Sequence, residues 1–244
     1  MGKTFAALKR AEEEKKAWEG TTSLTPGPMK VRPSNNSSPA VEEYHRMKYK
    51  ILSSNHDRPM KAILFCSSGP GEGNSTVLTD FALTLASEGD RVLLVDANLR
   101  TPSLHRVFQL ERENGLTELA LGKSSLEDVV KMAPFDNLWV ITSGTPHSNP
   151  FSILENRGID SHVEQMKARA DWVLFDSAPA NSYMDSIALA GKVDGVVMVL
   201  QSEKTRWEVA QFIKERLESG NGNMLGVILN KRRFYIPRWL YKTV

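Results

Sequence analysis

Residues 62–76 read Ala-Ile-Leu-Phe-Cys-Ser-Ser-Gly-Pro-Gly-Glu-Gly-Asn-Ser-Thr, and a helical stretch follows at 78–86. An apolar run of strand length breaks into glycines and re-emerges as a helix. That arrangement suits a phosphate chain, because glycines let the backbone wrap it and the helix start offers amide donors and a positive dipole end. In this frame Gly71, Glu72 and Gly73 form the loop. Ser75 is placed to hold Mg²⁺ through its hydroxyl and Thr76 to reach an inner phosphate. Asn74 stands where the pattern expects a lysine. A glycine-rich turn that binds nothing is the plainer alternative, but the Ser-Thr pair and two acidic strand ends further on weigh against it.

Outward from this loop, apolar runs at 91–96, 138–142, 172–176, 193–200 and 225–230 complete about six strands. Helical stretches separate them, two opened by capping-box patterns, Ser124-Ser125-Leu126-Glu127 and Thr205-Arg206-Trp207-Glu208. Continuous apolar strands alternating with helices predict an α/β fold of P-loop NTPase type, a mostly parallel sheet with helices on both faces. Asp96 and Asp176 each end a strand, where open α/β sheets collect their ligand groups. A lone aspartate there is usually a turn or cap residue. Two in order after a phosphate loop point instead to a Mg²⁺ site with Ser75, and Asp176 in Leu-Phe-Asp-Ser-Ala-Pro reads as a Walker B-type element.

The flanks differ. Residues 1–18 read as a short N-terminal helix with Phe5 and Leu8 on one side, and 19–40 as a Pro/Gly/Ser/Asn-rich linker. From about Val41, Tyr44, Met47 and Ile51 recur at helical spacing, so a domain is expected over 41–233. A tail at 234–244 follows. From Lys231 onward it carries Arg232, Arg233, Arg238 and Lys242 among Phe234, Tyr235, Trp239 and Tyr241, with no acidic residue. Such a segment suits a membrane surface or a partner groove, or equally docks on its own domain.

The 244-residue chain is 41% hydrophobic and 25% charged with net charge +2, ordinary for a soluble globular protein and no signal for nucleic acid. One cysteine, Cys66, excludes a disulfide within the chain and fits a reducing compartment. No apolar run approaches the roughly 20 residues of a spanning helix. The expected location is cytoplasmic, and work at a membrane, such as the inner face of the plasma membrane, would require a partner or a surface contact.

The loop Ser67 to Gly73, the run Val95-Asp96-Ala97-Asn98-Leu99-Arg100-Thr101-Pro102 and Asp176-Ser177-Ala178-Pro179 resemble the bacterial tyrosine kinases of polysaccharide export, relatives of the Min- and Par-type ATPases. Gly115-Leu116-Thr117, Leu119 to Gly122, Asn149-Pro150 with Ile153-Leu154, the run from Asp185 to Val196 and Gly226 to Lys231 extend the match across about 41–233. The resemblance implies an ATP/ADP and Mg²⁺ site that includes Arg100 and Asn230. It also implies that Asp96 serves the metal and as the base toward a tyrosine hydroxyl, with Asp176 completing the site. It further implies a membrane-embedded polysaccharide chain-length regulator as partner, homo-oligomerisation, and autophosphorylation on a C-terminal tyrosine cluster.

Four departures fall on functional positions. Asn74 replaces the lysine, and Asn98 the second aspartate of Asp-x-Asp-x-Arg. The family's oligomer motif Glu-x-x-Arg-x-x-Arg reads Glu42, His45 and Lys48, for which a solvated helix face is the bland reading. The tyrosine cluster shrinks to Tyr235 and Tyr241, the candidate phosphoacceptors. Losing one charge of each sign is expected to leave the pocket near charge balance while weakening phosphate and metal binding. The first expectation is a nucleotide-binding relative of these kinases with impaired transfer. The alternatives are an active autokinase using Arg100 or Lys61 as compensating cation, a Min- or Par-like positioning ATPase, and an interaction domain that binds no nucleotide.

Overall fold

The computed structural model of the chain describes residues 39–54 and 59–232. The helix expected at 1–18, nearly all of the 19–40 linker, and the tail with Tyr235 and Tyr241 lie outside the described residues. Helices are α1 (Pro39–Ser53), α2 (Asn74–Ser87), α3 (Leu104–Val107), α4 (Leu116–Ala120), α5 (Leu126–Val129), α6 (Pro150–Glu155), α7 (Gly158–Arg169), α8 (Asp185–Ala190) and α9 (Trp207–Ser219). Strands are β1 (Ala62–Ser67), β2 (Val92–Asp96), β3 (Val130–Met132), β4 (Leu138–Ile141), β5 (Trp172–Asp176), β6 (Gly195–Gln201) and β7 (Met224–Asn230).

The seven strands form one sheet in the order β3-β4-β2-β5-β1-β6-β7, parallel except for the β3–β4 pair. The sequence had suggested about six. β3 escapes it because three residues with Lys131 in the middle carry no run long enough to read. β1, β2 and β5 are buried along their whole length, so both faces are covered by other elements. Phe81 of α2 is central to that cover: its ring lies 6.2, 6.0 and 5.9 Å from those of Tyr44, Phe65 and Trp172, joining α1 and α2 to the sheet.

Two caps differ from expectation. α5 starts one residue later than its pattern suggested: Ser125 is the cap and Asp128, not Glu127, closes the box. At α9 there is no capping box. Arg206 is the N-cap without a side-chain bond, and the Thr205 hydroxyl is committed to Glu72. A bond to the phosphate loop outcompetes the cap. Gly115, part of the family-like Gly-Leu-Thr, opens α4 against the backbone of Thr142 and Gly144, where any Cβ would collide with the Thr142 carbonyl.

Candidate functional site

β1 is the interior strand at which chain order reverses, flanked by β5 and β6, and its C-terminal end feeds the phosphate loop. Gly71 and Gly73 hold φ of 76° and 94°. At Gly73 an added Cβ would strike the Asn230 amide, whose Nδ2 donates to the Glu72 carbonyl at 2.9 Å. Asn230 thus binds the loop's backbone, and the Lys231 ammonium beside it donates to the Gly71 carbonyl. A cleft of about 220 Å³ opens over the loop, lined by Gly71, Gly73, Asn74, Ser75, Thr76, Asn98 and Ser103 among others. A groove of about 530 Å³ between α1 and β7 is larger, but Tyr44, Met47, Ile51, Val227 and Leu229 line it and no phosphate-loop residue does.

Glu72 braces the loop instead of facing a ligand with its side chain. Its carboxylate accepts from the Ser68 amide at 2.7 Å, the Gly69 amide at 3.0 Å and the Ser68 hydroxyl at 2.8 Å, and from Thr205. Burial pushes its pKa up, but the bonds from Thr205, Gly69, Ser68 and Gln201 outweigh that and hold it below the ordinary glutamate value. Glu72→Ala is expected to cost about 2–4 kcal/mol of stability at neutral pH, since it strands buried donors of a charged acceptor. A depressed pKa means this contribution is present above the unfolded-state value and lost as pH falls through the folded one. The gap between variant and parent in urea unfolding therefore narrows in acid; a gap that widens there contradicts the assignment.

The two strand-end carboxylates meet: Asp96 and Asp176 are register partners on β2 and β5, both fully buried. Asp176 accepts from Ser75 Oγ at 2.6 Å through Oδ2 and from Asn74 Nδ2 at 2.7 Å through Oδ1. Asp96 Oδ2 accepts from the amides of Ser103 and Leu104, each at 3.0 Å, while its Oδ1 has no hydrogen-bond partner among the described residues. Burial and, for Asp96, the charge of Asp176 raise both pKa values well above the carboxylate norm. Among the described residues the polar contacts of both carboxylates are neutral donors.

Asn74 Nδ2 donates a second time, to the Phe65 carbonyl at 3.0 Å. Both N–H groups of the amide are thus committed to β1 and β5. Its orientation is fixed by chemistry, because a flipped amide would set oxygen against two acceptors. Asn98 Oδ1 accepts from the amide and hydroxyl of Thr101 at 3.1 and 3.3 Å, closing a turn at the cleft edge.

Neither compensating cation is free at the pair. Arg100 is bound bidentately to the buried Asp185 at 2.7 and 3.0 Å and lies over the Tyr183 ring. Lys61 is a correction: it sits at the opposite, N-terminal end of β1, where its ammonium donates to the carbonyls of Lys167 and Ala170. Lys231, which sequence reasoning did not single out, is the cation on the loop, and its position one residue past Asn230 was the available signal. Of the oligomer candidates, Glu42 pairs with Arg46 at 2.8 Å, His45 with Glu88, and Lys48 with Glu88 and Asp90 at 2.5 and 2.6 Å, all within the chain.

The donor set fits Mg²⁺. That ion takes one or two carboxylates and completes its shell with water and phosphate oxygens, and here two adjacent carboxylates, one with an orphaned oxygen, lie beside a serine hydroxyl. Asp96, Asp176 and Ser75 would hold it, and it would neutralise phosphate charge.

Strand, glycine loop and helix with paired carboxylates at neighbouring strand ends define a P-loop nucleotide-binding domain. The family described as AAA domain matches residues 60–219. Tyrosine-protein kinase YwqD of Bacillus subtilis is 36% identical over 192 residues, 79% of this chain and 81% of that protein. The solved chimerical protein CapA2B2 superposes with a TM-score of 0.77 at 27% identity, covering 82% of this chain and 88% of that one. The fold extends to the septum site-determining protein MinD of Pyrococcus horikoshii, solved with Mg-ADP, at TM-score 0.61 and 22% identity over 75% and 76% of the two chains. The chain belongs to the bacterial tyrosine-protein kinase family of P-loop ATPases.

Proposed function

We propose that the chain is a nucleotide-binding, kinase-like module of capsule or exopolysaccharide synthesis whose phosphoryl transfer is impaired. The observation that carries this reading is Asn74: both its side-chain N–H groups are spent on Phe65 and Asp176, so the side chain at position 74 offers a phosphate no charge and no donor. Phosphoryl transfer depends almost wholly on positioning and electrostatics. The loop, the cleft and the carboxylate pair remain suited to ATP or ADP with Mg²⁺. A membrane polysaccharide chain-length regulator is the partner the family resemblance supplies. It would recruit the chain to the inner face of the plasma membrane, with the basic, aromatic tail as a second contact. Among the described residues no helix is long and apolar enough to cross a membrane.

Calorimetric titration with ADP·Mg²⁺ is expected to show binding, while incubation with ATP·Mg²⁺ and the membrane partner yields little phosphotyrosine at Tyr235 or Tyr241. Absence of heat at millimolar nucleotide would sink the binding claim. A second reading, an active autokinase, draws support from Lys231 on the loop carbonyl of Gly71. Robust labelling that Lys231→Ala removes would establish it instead.

A further inference from the structure

Six buried side-chain polar atoms among the described residues lack a partner, and three of them, Asn74 Oδ1, Asp96 Oδ1 and Ser103 Oγ, belong to the phosphate-loop site. Asn74 and Ser103 line the cleft, Asn74 is 7% exposed and Asp96 fully buried. Water could satisfy the unpaired atoms. It would leave the second problem standing: two carboxylates on adjacent strands with no side-chain cation in contact among the described residues. Buried like charges of this kind are stable only when paired, protonated or metal-bound. The two nearby cations are occupied elsewhere, Lys231 on Gly71 and Arg100 on Asp185.

A lysine at position 74 would bring an ammonium into this group and compete with a metal ion. Asparagine does the opposite. Its two N–H groups are turned toward Phe65 and Asp176, which leaves a neutral carbonyl oxygen, a ligand type that hard divalent cations accept. One substitution thus removes a competitor and adds an oxygen.

We propose that this site takes up a divalent cation of the Mg²⁺ and Mn²⁺ class in the absence of nucleotide, with Asp96 and Asp176 as charged ligands and Asn74 Oδ1 as a neutral one. Metal then enters before the nucleotide and supplies the positive charge that position 74 lacks. The inference rests on reading this cleft as the nucleotide site, and it differs from that reading in requiring no nucleotide.

Mn²⁺ titration of the nucleotide-free full chain, followed by electron paramagnetic resonance, tests it, with Mg²⁺ thermal shifts as a second readout. One ion per chain is expected in the low-millimolar range or tighter. Asp96→Asn abolishes this binding, and Asn74→Lys weakens it at least tenfold. Asn74→Ala, which removes the oxygen without adding a charge, falls between them. Circular dichroism checks that each variant folds. Absence of Mn²⁺ binding by the parent, or equal binding by Asn74→Lys, overturns the proposal. A parent that binds ADP·Mg²⁺ but no metal alone refutes this inference and leaves the nucleotide reading intact; metal binding without any nucleotide binding does the reverse.

Discussion

Asn74→Lys is expected to raise ATP-dependent phosphoryl transfer by about a hundredfold. A unit charge some 4 Å from a phosphate oxygen is worth up to about 4 kcal/mol at an effective dielectric near 20. Recovering about 3 kcal/mol of that in the transition state corresponds to roughly two orders of magnitude in rate. The structure adds a reason for so large a gain: the Asn74 side chain is withdrawn from the loop by its bonds to Phe65 and Asp176, so the parent starts from no side-chain donor at this position. An ammonium has three donors, enough to keep a bond to Asp176 and still reach a phosphate. Single-turnover transfer from radiolabelled ATP, with and without Asn98→Asp, measures the effect. The two sites share one cleft, so their effects need not add, and the double variant gives their coupling. A change under threefold with nucleotide affinity intact would show that transfer is limited elsewhere.

The β1–loop–α2 unit and the two acidic strand ends were legible because they are written in local patterns, apolar runs broken by glycine and carboxylates one residue past a run. The register that sets Asp96 against Asp176 was not legible, since it depends on β5 inserting between β1 and β2. Glu72 illustrates the same limit. As a loop residue it reads as a ligand contact, yet its carboxylate turns inward to Ser68, Gly69 and Thr205, the last of them 133 residues away. Lys61 misled in the opposite way: close to the loop in sequence, it lies a strand's length away. The failed capping box at Thr205 and the loop brace at Glu72 are one event, a long-range bond replacing a local one. Charge balance could not be read from a count of substitutions either, because Arg100 was already committed to Asp185.

Asp96→Asn is expected to stabilise the metal-free chain while destroying its metal and nucleotide chemistry. The carboxylate loses more by burial beside Asp176 than its backbone amide bonds return, which is why its pKa lies far above the ordinary value. An asparagine there keeps an oxygen for the amides of Ser103 and Leu104 and can set its NH₂ where Asp96 Oδ1 now has no partner. Removing one of two adjacent buried charges in this way should add about 1–2 kcal/mol, or about 2–8 °C in Tm for a domain of this size. Asp176→Asn supplies the contrast. Both oxygens of Asp176 already accept, from Asn74 and from Ser75, so an amide there turns its NH₂ to Ser75, whose hydroxyl then accepts, and two bonds to a carboxylate become weaker neutral ones. That variant is expected to lose about 1–3 kcal/mol despite removing the same charge. Thermal and urea unfolding without metal distinguish the two, and a destabilised Asp96→Asn would mean that its carboxylate is neutralised by a partner other than a bound cation. If the signs come out opposite as argued, Asp96 is the carboxylate held at a standing cost for ligand binding, and Asp176 is the one that also holds the loop to the sheet.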